Sequence, residues 1–112
     1  MMIPVKTFGD YTFCFEAEEE TLSMRSHFVD ECGWTPEQFK RIRNYKWFSA
    51  RVSLWKEGIE LGAEYLGTCC YRTESAFYKK YEKDYFADMV RTLAEETKDP
   101  ELIKIVDRKY KR

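Results

Sequence analysis

The sequence predicts an α+β domain with a small antiparallel sheet of about four strands, in ββααββαα order, and helices packed on one face. Strand-like alternation of apolar and polar residues occurs twice, within residues 5–16 and within residues 46–65. Residues 22–44 and 73–109 instead have apolar side chains at helical spacing. A length of 112 residues fits one domain, residues 1–112, and an aromatic content of 17% argues against disorder.

The first hairpin is predicted around Gly9-Asp10, which separates two β-rich runs. A two-residue loop with Gly first suits a type II′ turn. Tyr11, Phe13 and Phe15 then follow at period two, so they are expected on one face of the second strand.

A short amphipathic helix is predicted next, at about residues 22–32. Three acids, residues 18–20, precede it and suit the positive end of its dipole. Thr21 or Ser23 is the expected N-cap, and Gly33 is placed to end the helix.

A second helix starts at Thr35-Pro36 and is expected to reach about Asn44. Thr35 suits the N-cap and Pro36 the first helical position, while Gln38 is placed to reach back to the cap. These residues form one of the clearest helix starts in the chain.

The strongest strand signal covers residues 46–56, where Phe48, Ala50, Val52 and Leu54 alternate with polar residues or tryptophan. A turn at residues 56–58 leads to the antiparallel partner strand. There, the alternation predicts one shared face for a set of four residues: Ile59, Leu61, Ala63 and Tyr65. Gly62 and Gly67 are expected to mark bulges or close backbone approaches.

The remaining chain is predicted to be helical. A helical stretch opens at Thr73 and runs to about Lys98, with a possible break within residues 79–84. Asp99-Pro100 starts a last helix that is expected to turn Leu102, Ile105 and Val106 inward.

The net charge of −1 conceals four blocks of charge along the chain. Residues 1–37 carry −6, residues 38–56 carry +6 without any acid, residues 57–103 carry −5, and residues 104–112 carry +4. Local patches therefore matter more to partners than the total. One interpretation is that the blocks neutralise each other in the fold; the other is that the +6 segment faces a partner.

The four cysteines, Cys14, Cys32, Cys69 and Cys70, form no C-x-x-C pair and are expected to be reduced, mostly buried thiols. A vicinal disulfide between Cys69 and Cys70, acting as a redox switch, is the alternative. His27 lies five residues before Cys32, about 140° around an α-helix, so the two are not expected to meet locally.

The sequence has no phosphate-binding loop, dinucleotide motif or metalloprotease motif. We therefore expect no catalytic residues, no cofactor and no metal site. Asp84 and Asp88 form an i, i+4 carboxylate pair that suits a divalent ion, although a solvated helix face explains it better. An enzyme that uses Cys69 or Cys70 is kept as a third hypothesis, which predicts one fast-reacting thiol.

The feature that points most directly to a function is one face of the strand at residues 46–56, the face opposite the predicted core residues. Trp47, Arg51 and Trp55 are expected together there. Either a helix or the basic tail covers them, or they form a partner surface, because Trp and Arg are enriched in interface hot spots. Nucleic acid is the alternative partner. Its predicted contacts are basic residues of one segment: Arg41, Arg43, Lys46 and Arg51.

The first hypothesis is therefore a non-catalytic protein-binding module that uses Trp47, Arg51 and Trp55. A second set of predicted partner-binding residues is Glu18, Glu19 and Glu20, which could mimic a phosphate track. A homodimer through a strand edge is also open. No stretch reaches the roughly 20 apolar residues of a membrane span, and residues 1–6 do not resemble a signal peptide, so a cytoplasmic protein is expected.

The segment from Trp55 to Tyr71, with the pattern G-I-E-L-G-x-x-x-L-G-x-C-x-Y, is followed by Phe77-Tyr78 and an aromatic-rich run at residues 84–90. Together they resemble small uncharacterised accessory proteins of bacteriophages and mobile elements. The resemblance implies a compact protein without an active site, acting in a bacterial cell. It further implies a host protein or protein complex as the partner, including defence nucleases, as in anti-CRISPR inhibitors.

Overall fold

A computed structural model describes residues 1–79 and 85–110 of the chain. Its four strands form one antiparallel sheet in the order β1-β2-β3-β4, so that each strand pairs with its neighbours along the chain. The strands are β1 (Met2–Phe8), β2 (Tyr11–Glu18), β3 (Lys46–Lys56) and β4 (Ile59–Tyr71). The predicted α+β class and antiparallel sheet are confirmed.

Helical segments lie between β2 and β3 and after β4. They are a π-helix (Ser26–Glu31), α1 (Pro36–Lys40), α2 (Ala76–Lys79), α3 (Tyr85–Thr97) and α4 (Pro100–Lys109). Among the described residues, no helix is long and apolar enough to cross a membrane.

The first hairpin forms as its turn residues predict. Gly9 has a φ of +59°, and Asp10 has no positive φ, which matches the requirement of a type II′ turn for Gly at its first central position. Phe13 and Phe15 of β2 are buried on the core face, and Tyr11 packs against the same core.

The predicted helix starts are confirmed by their side-chain caps. The Thr35 hydroxyl accepts from the Gln38 amide, and the Gln38 side chain accepts from the Thr35 amide, which completes a capping box. Asp99 accepts from the amides of Glu101 and Leu102 at the start of α4. Helix α1 ends at Lys40, earlier than expected, and the chain continues through turns to β3.

The core lies between one face of the sheet and α2, α3 and α4. It is rich in aromatic rings: Phe15 stacks on Phe77 at 5.5 Å, and Phe77 meets Phe86 edge-on at 6.2 Å. Leu102 and Val106 of α4 point into it as predicted. Ile105 does not, since it is 41% exposed and Ile103 packs against the core in its place; the prediction for Ile105 was wrong.

Two bulges in β4 lie beside its glycines, as predicted. One inserts Leu61 between the partners of Leu54 and Trp55, and the other adds a residue near Gly67 opposite Ser49. A Cβ on Gly62 would come within 3.3 Å of Leu93, so α3 also packs closely there.

The expected common face of residues 59, 61, 63 and 65 was wrong because of the first bulge. Ile59 pairs with Lys56, whereas Ala63 pairs with Ser53 and Tyr65 with Arg51. An extra residue reverses the alternation, because side chains in a strand repeat every two residues. Tyr65 therefore joins the face opposite the core and is 61% exposed.

Some sequence expectations fall outside the described residues. One is the helix break predicted within residues 79–84, of which only residue 79 is described. The others are the carboxylate pair that requires Asp84 and the last two residues of the basic tail. Among the described residues, the buried apolar side chains other than Cys14 form one cluster across the sheet and helices.

Candidate functional site

The outer face of the sheet, which we define as the face opposite the helical layer of α2–α4, is built by the alternation within β3. Phe48, Ala50, Val52 and Leu54 point into the core, so their neighbours Trp47, Arg51 and Trp55 lie on the outer face. This placement was predicted and is confirmed.

Arg51 is held in place by two residues of β4. Its Nε donates to the Tyr65 hydroxyl at 2.9 Å, and its Nη2 forms an ion pair with Glu60. The guanidinium also lies 5.6 Å from the centre of the Tyr65 ring, within cation–π range. The hydrogen bond to Tyr65 and the ion pair with Glu60 raise the pKa of Arg51 above its usual value. The side chain is therefore charged, ordered and only 15% exposed.

Trp55 is held by a hydrogen bond to Ser53 of β3, which in turn contacts β1. Its indole N–H donates to the Ser53 hydroxyl at 2.9 Å, and that hydroxyl lies 3.7 Å from the sulfur of Met2. Ser53 is buried beneath these side chains, whereas Trp55 is half-buried. The indole ring is thus held on the same outer face of the sheet as Arg51 and Tyr65.

Trp47 has a different environment. Its indole N–H donates to the Leu22 carbonyl at 2.7 Å, and its ring lies 5.4 Å from His27 and 5.8 Å from Phe28. Phe28 in turn packs on Trp34 at 4.6 Å. The segment between β2 and β3 therefore covers part of Trp47, which is half-buried, so of the two explanations for the tryptophans, coverage applies in part to this one.

The three consecutive acids also differ from one another. Glu18 and Glu19 are exposed, whereas the Glu20 carboxylate accepts from the amides of Thr68 at 2.6 Å and Leu22 at 3.3 Å. The hydrogen bond from Thr68 lowers the pKa of Glu20. Glu20 thus fastens the second bulge of β4, and two of the three predicted acids remain free to meet a partner.

The basic segment is exposed at the end of α1. Arg41, Arg43 and Lys46 are exposed, and none of them forms an ion pair with another described residue. Arg41 borders an open apolar cavity of about 180 Å³ with Trp34 and Ile42. Arg51, the fourth predicted phosphate contact, is already paired with Glu60.

All four cysteines are free thiols. Burial raises the pKa of Cys14 and Cys70, and it raises that of Cys69 to about 11. The raised pKa values argue against a reactive Cys69 or Cys70, because the thiolate is the nucleophile and a higher pKa leaves less of it. In the described part of the chain, no group of three His, Cys, Asp or Glu residues has a geometry that holds a metal ion.

The expectation that His27 and Cys32 would not meet was wrong. Their segment winds as a π-helix, in which the Cys32 amide donates to the His27 carbonyl at 3.0 Å, and the Cys32 sulfur lies 3.8 Å from His27 Nε2. No sequence pattern indicated this winding, since i, i+4 apolar spacing predicts an α-helix.

The outer face also contains residues that sequence reasoning missed. Tyr65 and Glu60 hold Arg51, but the alternation of β4 grouped Tyr65 with Ile59 and Leu61 and did not predict a contact with Arg51. The glycine at position 62, read as a bulge, was the available signal for the change of face.

The fold and the site define a small α+β protein with an antiparallel meander whose outer face presents an ordered tryptophan, arginine and tyrosine. No protein-family model, curated protein or solved structure matches the chain.

Proposed function

We propose that this chain is a non-catalytic protein-binding module and that its contact surface is the Trp55 patch, defined as Trp55, Arg51, Tyr65 and Glu60. The observation that carries the proposal is the ordering of these side chains before any partner binds. Tyr65 and Glu60 hold Arg51, and Ser53 holds Trp55. Side chains that are already ordered lose less conformational entropy on binding.

The composition of the patch suits a protein partner better than a phosphate backbone. Trp, Tyr and Arg are the residues most enriched among hot spots. The positive charge of Arg51 is offset by Glu60, so the patch has little net attraction for phosphate. Trp47 is left out of the patch because Leu22, His27 and Phe28 cover it.

The test is affinity capture from a bacterial lysate, followed by measurement of the Kd for the captured protein. We expect Trp55→Ala to weaken binding by about 30-fold and Tyr65→Ala by about tenfold, as for hot-spot residues. Tyr65 is 61% exposed, so its loss should leave the fold intact. The matched control is Ile105→Ala, which removes an exposed apolar side chain from α4.

The proposal fails if wild type retains no partner. It also fails if Trp55→Ala and Tyr65→Ala retain a partner as well as wild type does.

Within this function, we propose the finer role of a phage-type inhibitor of a bacterial defence or host complex, acting in the bacterial cytoplasm. Its support is the resemblance over residues 55–90 and the exposed carboxylates of Glu18 and Glu19, which suit a basic groove. Expression in a bacterium with an active CRISPR nuclease should increase plaque formation by a targeted phage, and Trp55→Ala should remove that protection. Equal plaque counts with and without the protein would contradict the CRISPR form of this role.

A nucleic-acid-binding protein remains the alternative, favoured by the exposure of Arg41, Arg43 and Lys46 at one end of β3. Double substitution of Arg41 and Arg43 by Gln separates the two functions. It should abolish binding to an oligonucleotide if the alternative holds, and it should leave capture of a protein partner unchanged if the first proposal holds.

A further inference from the structure

A nucleophile and a base meet on the π-helix. In an α-helix, residues five apart point about 140° away from each other. The π-helix replaces that geometry with a hydrogen bond between residues five apart, and it brings the Cys32 sulfur to 3.8 Å from His27 Nε2. π-helices are rare, and where a single turn of one occurs, it is frequently at a functional site.

A carboxylate faces the other nitrogen of the same imidazole. Glu31 Oε2 lies 3.7 Å from His27 Nδ1, an ion-pair distance, and Nδ1 is buried without a hydrogen-bond partner among the described residues. A carboxylate in this position favours the tautomer that carries its proton on Nδ1. Nε2 is then the acceptor that faces the thiol.

We propose that Cys32, His27 and Glu31 form a reactive thiol site that undergoes exchange with disulfides of small thiols such as glutathione. Cys32 is the nucleophile, His27 is the base that receives its proton, and Glu31 is a positioning residue. The site lies beyond the proposed protein-binding function, because Trp47, which packs on His27, is eight residues from Trp55, or about 26 Å along β3.

Access distinguishes Cys32 from the other cysteines. Cys32 is exposed, whereas Cys14 and Cys69 are buried and Cys70 is half-buried. Burial also raises the pKa values of those three thiols, which lowers the fraction present as thiolate.

Two backbone amides near Cys32 are already engaged, which disfavours attack on a carbonyl relative to attack on sulfur. Acyl transfer needs amide donors for the developing oxyanion. The Cys32 amide already donates to the His27 carbonyl, and the Trp34 amide donates to the Phe28 carbonyl at 2.8 Å. Thiol–disulfide exchange develops its negative charge on sulfur and does not need these donors.

The exchange balances with a small disulfide as the only co-reactant. The Cys32 thiol gives its proton to His27 Nε2, and its sulfur bonds to one sulfur of the disulfide as the original S–S bond breaks. The departing thiolate takes the proton back from the imidazolium. Cys32 is oxidised to a mixed disulfide, and half of the small disulfide is released as a reduced thiol.

Charges around His27 suit this proton transfer. Glu31 faces it from the same helix, and Glu20, from the segment before that helix, also interacts electrostatically with it. His27, though not Cys32, also borders an open groove of about 280 Å³ beside Thr68, Cys70 and Tyr85, next to the base.

The test is reaction of the reduced, full-length protein with oxidised glutathione, followed by peptide mass mapping of all four cysteines. At pH 6.5 we expect Cys32 to be modified at least about tenfold faster than Cys70, and His27→Gln to slow Cys32 by about tenfold or more. At pH 9.5 the effect of His27→Gln should nearly vanish, because most exposed thiols then ionise without a base.

Two further variants keep the test independent of folding. Glu31→Gln changes a 60% exposed side chain and should slow Cys32 about threefold at pH 6.5. Asp30→Asn, the matched control on the same helix, should leave the rate unchanged. Exposure alone would make Cys32 react first, but it would not produce the pH contrast. Equal slowing by His27→Gln at pH 6.5 and pH 9.5, or equal rates for Cys32 and Cys70, would overturn the proposal.

Discussion

At the scale of single residues, hydrogen bonds decide which charged and aromatic side chains remain available to a partner. Glu20 and Arg51 are both charged residues that the sequence predicted to bind a partner, yet contacts within the chain hold each of them. The Thr68 amide binds Glu20, and Tyr65 and Glu60 bind Arg51. For Glu20 the contact removes an acid from the exposed set. For Arg51 it orders a side chain that the proposed interface uses.

A residue-scale prediction concerns Tyr11 and Asp99, whose side chains form a hydrogen bond of 2.8 Å. This bond lowers the pKa of Asp99 below its ordinary value of 3.8 and raises that of Tyr11 above 10.0. A lowered carboxylate pKa stabilises the fold above pH 4, and that stabilisation is lost as the pH falls through the folded pKa. Tyr11→Phe should therefore lower the Tm at pH 7 and reduce the further loss of Tm between pH 5 and pH 2.

The control for Tyr11 is Tyr45→Phe, because the Tyr45 hydroxyl accepts from Arg72 and not from a carboxylic acid. Its Tm should fall with acid by as much as that of wild type. If Tyr11→Phe also shows the full acid-induced fall in Tm, measured by circular dichroism, the assigned role of the hydrogen bond is wrong.

At the scale of elements, two local irregularities change which side chains meet. One is an extra residue in a strand, and the other is a helical turn closed between residues five apart instead of four. The bulge at Leu61 moves Tyr65 to the outer face, where it meets Arg51. The π-helix similarly moves Cys32 next to His27. Both candidate sites therefore depend on local departures from regular secondary structure, which are common beside functional sites.

An element-scale prediction concerns Gly33, which ends the helical segment with a φ of +74°. Gly33→Ala forces a side chain into the left-handed region and should cost about 1 kcal/mol in the free energy of unfolding. Because Gly33 follows Cys32 directly, the same change should also slow the modification of Cys32 at pH 6.5.

Gly33→Asn is the matched variant, since Asn tolerates the left-handed region. It should retain most of the stability and of the reaction rate, as measured by urea unfolding and by peptide mapping. Equal losses for Ala and Asn would show that the backbone conformation of Gly33 is not the cause.

At the scale of the whole molecule, shape and charge act together. The molecule measures 49 × 27 × 20 Å, and its Cα radius of gyration is 15.8 Å, whereas about 13 Å is typical of a compact domain of this length. Within β3, Trp55 lies nine residues from Lys46, about 30 Å, so the Trp55 end of the patch is at the opposite end of the strand from the exposed basic residues Arg41, Arg43 and Lys46. The two candidate partner surfaces can therefore be tested separately.

A whole-molecule prediction follows from the charge blocks. The exposed cations of one segment, Arg41, Arg43 and Lys46, on a chain with a net charge of −1 should bind single-stranded oligonucleotides weakly. We expect no complex at about 150 mM salt, and at low salt a plot of log K against log salt with a slope no steeper than about −2. A much steeper slope in fluorescence titrations would favour the nucleic-acid alternative over the protein-binding function.

The sequence by itself determined the elements whose causes are local. The type II′ turn follows from Gly9, the helix starts from Thr35 and Asp99, and β3 from its alternation, because each depends on residues within a few positions of each other. The sequence also placed Trp47, Arg51 and Trp55 on one face, since period two holds throughout β3.

Only the tertiary structure decided which of these side chains is available. Trp47 is covered by a segment that is distant in sequence, Glu20 is bound by the far end of β4, and Arg51 is held across β3 and β4. The meeting of His27 and Cys32 is also a result of the fold, because the same sequence spacing is compatible with an α-helix that would separate them. Coverage, pairing and helical winding depend on long-range packing, which a local sequence pattern does not encode.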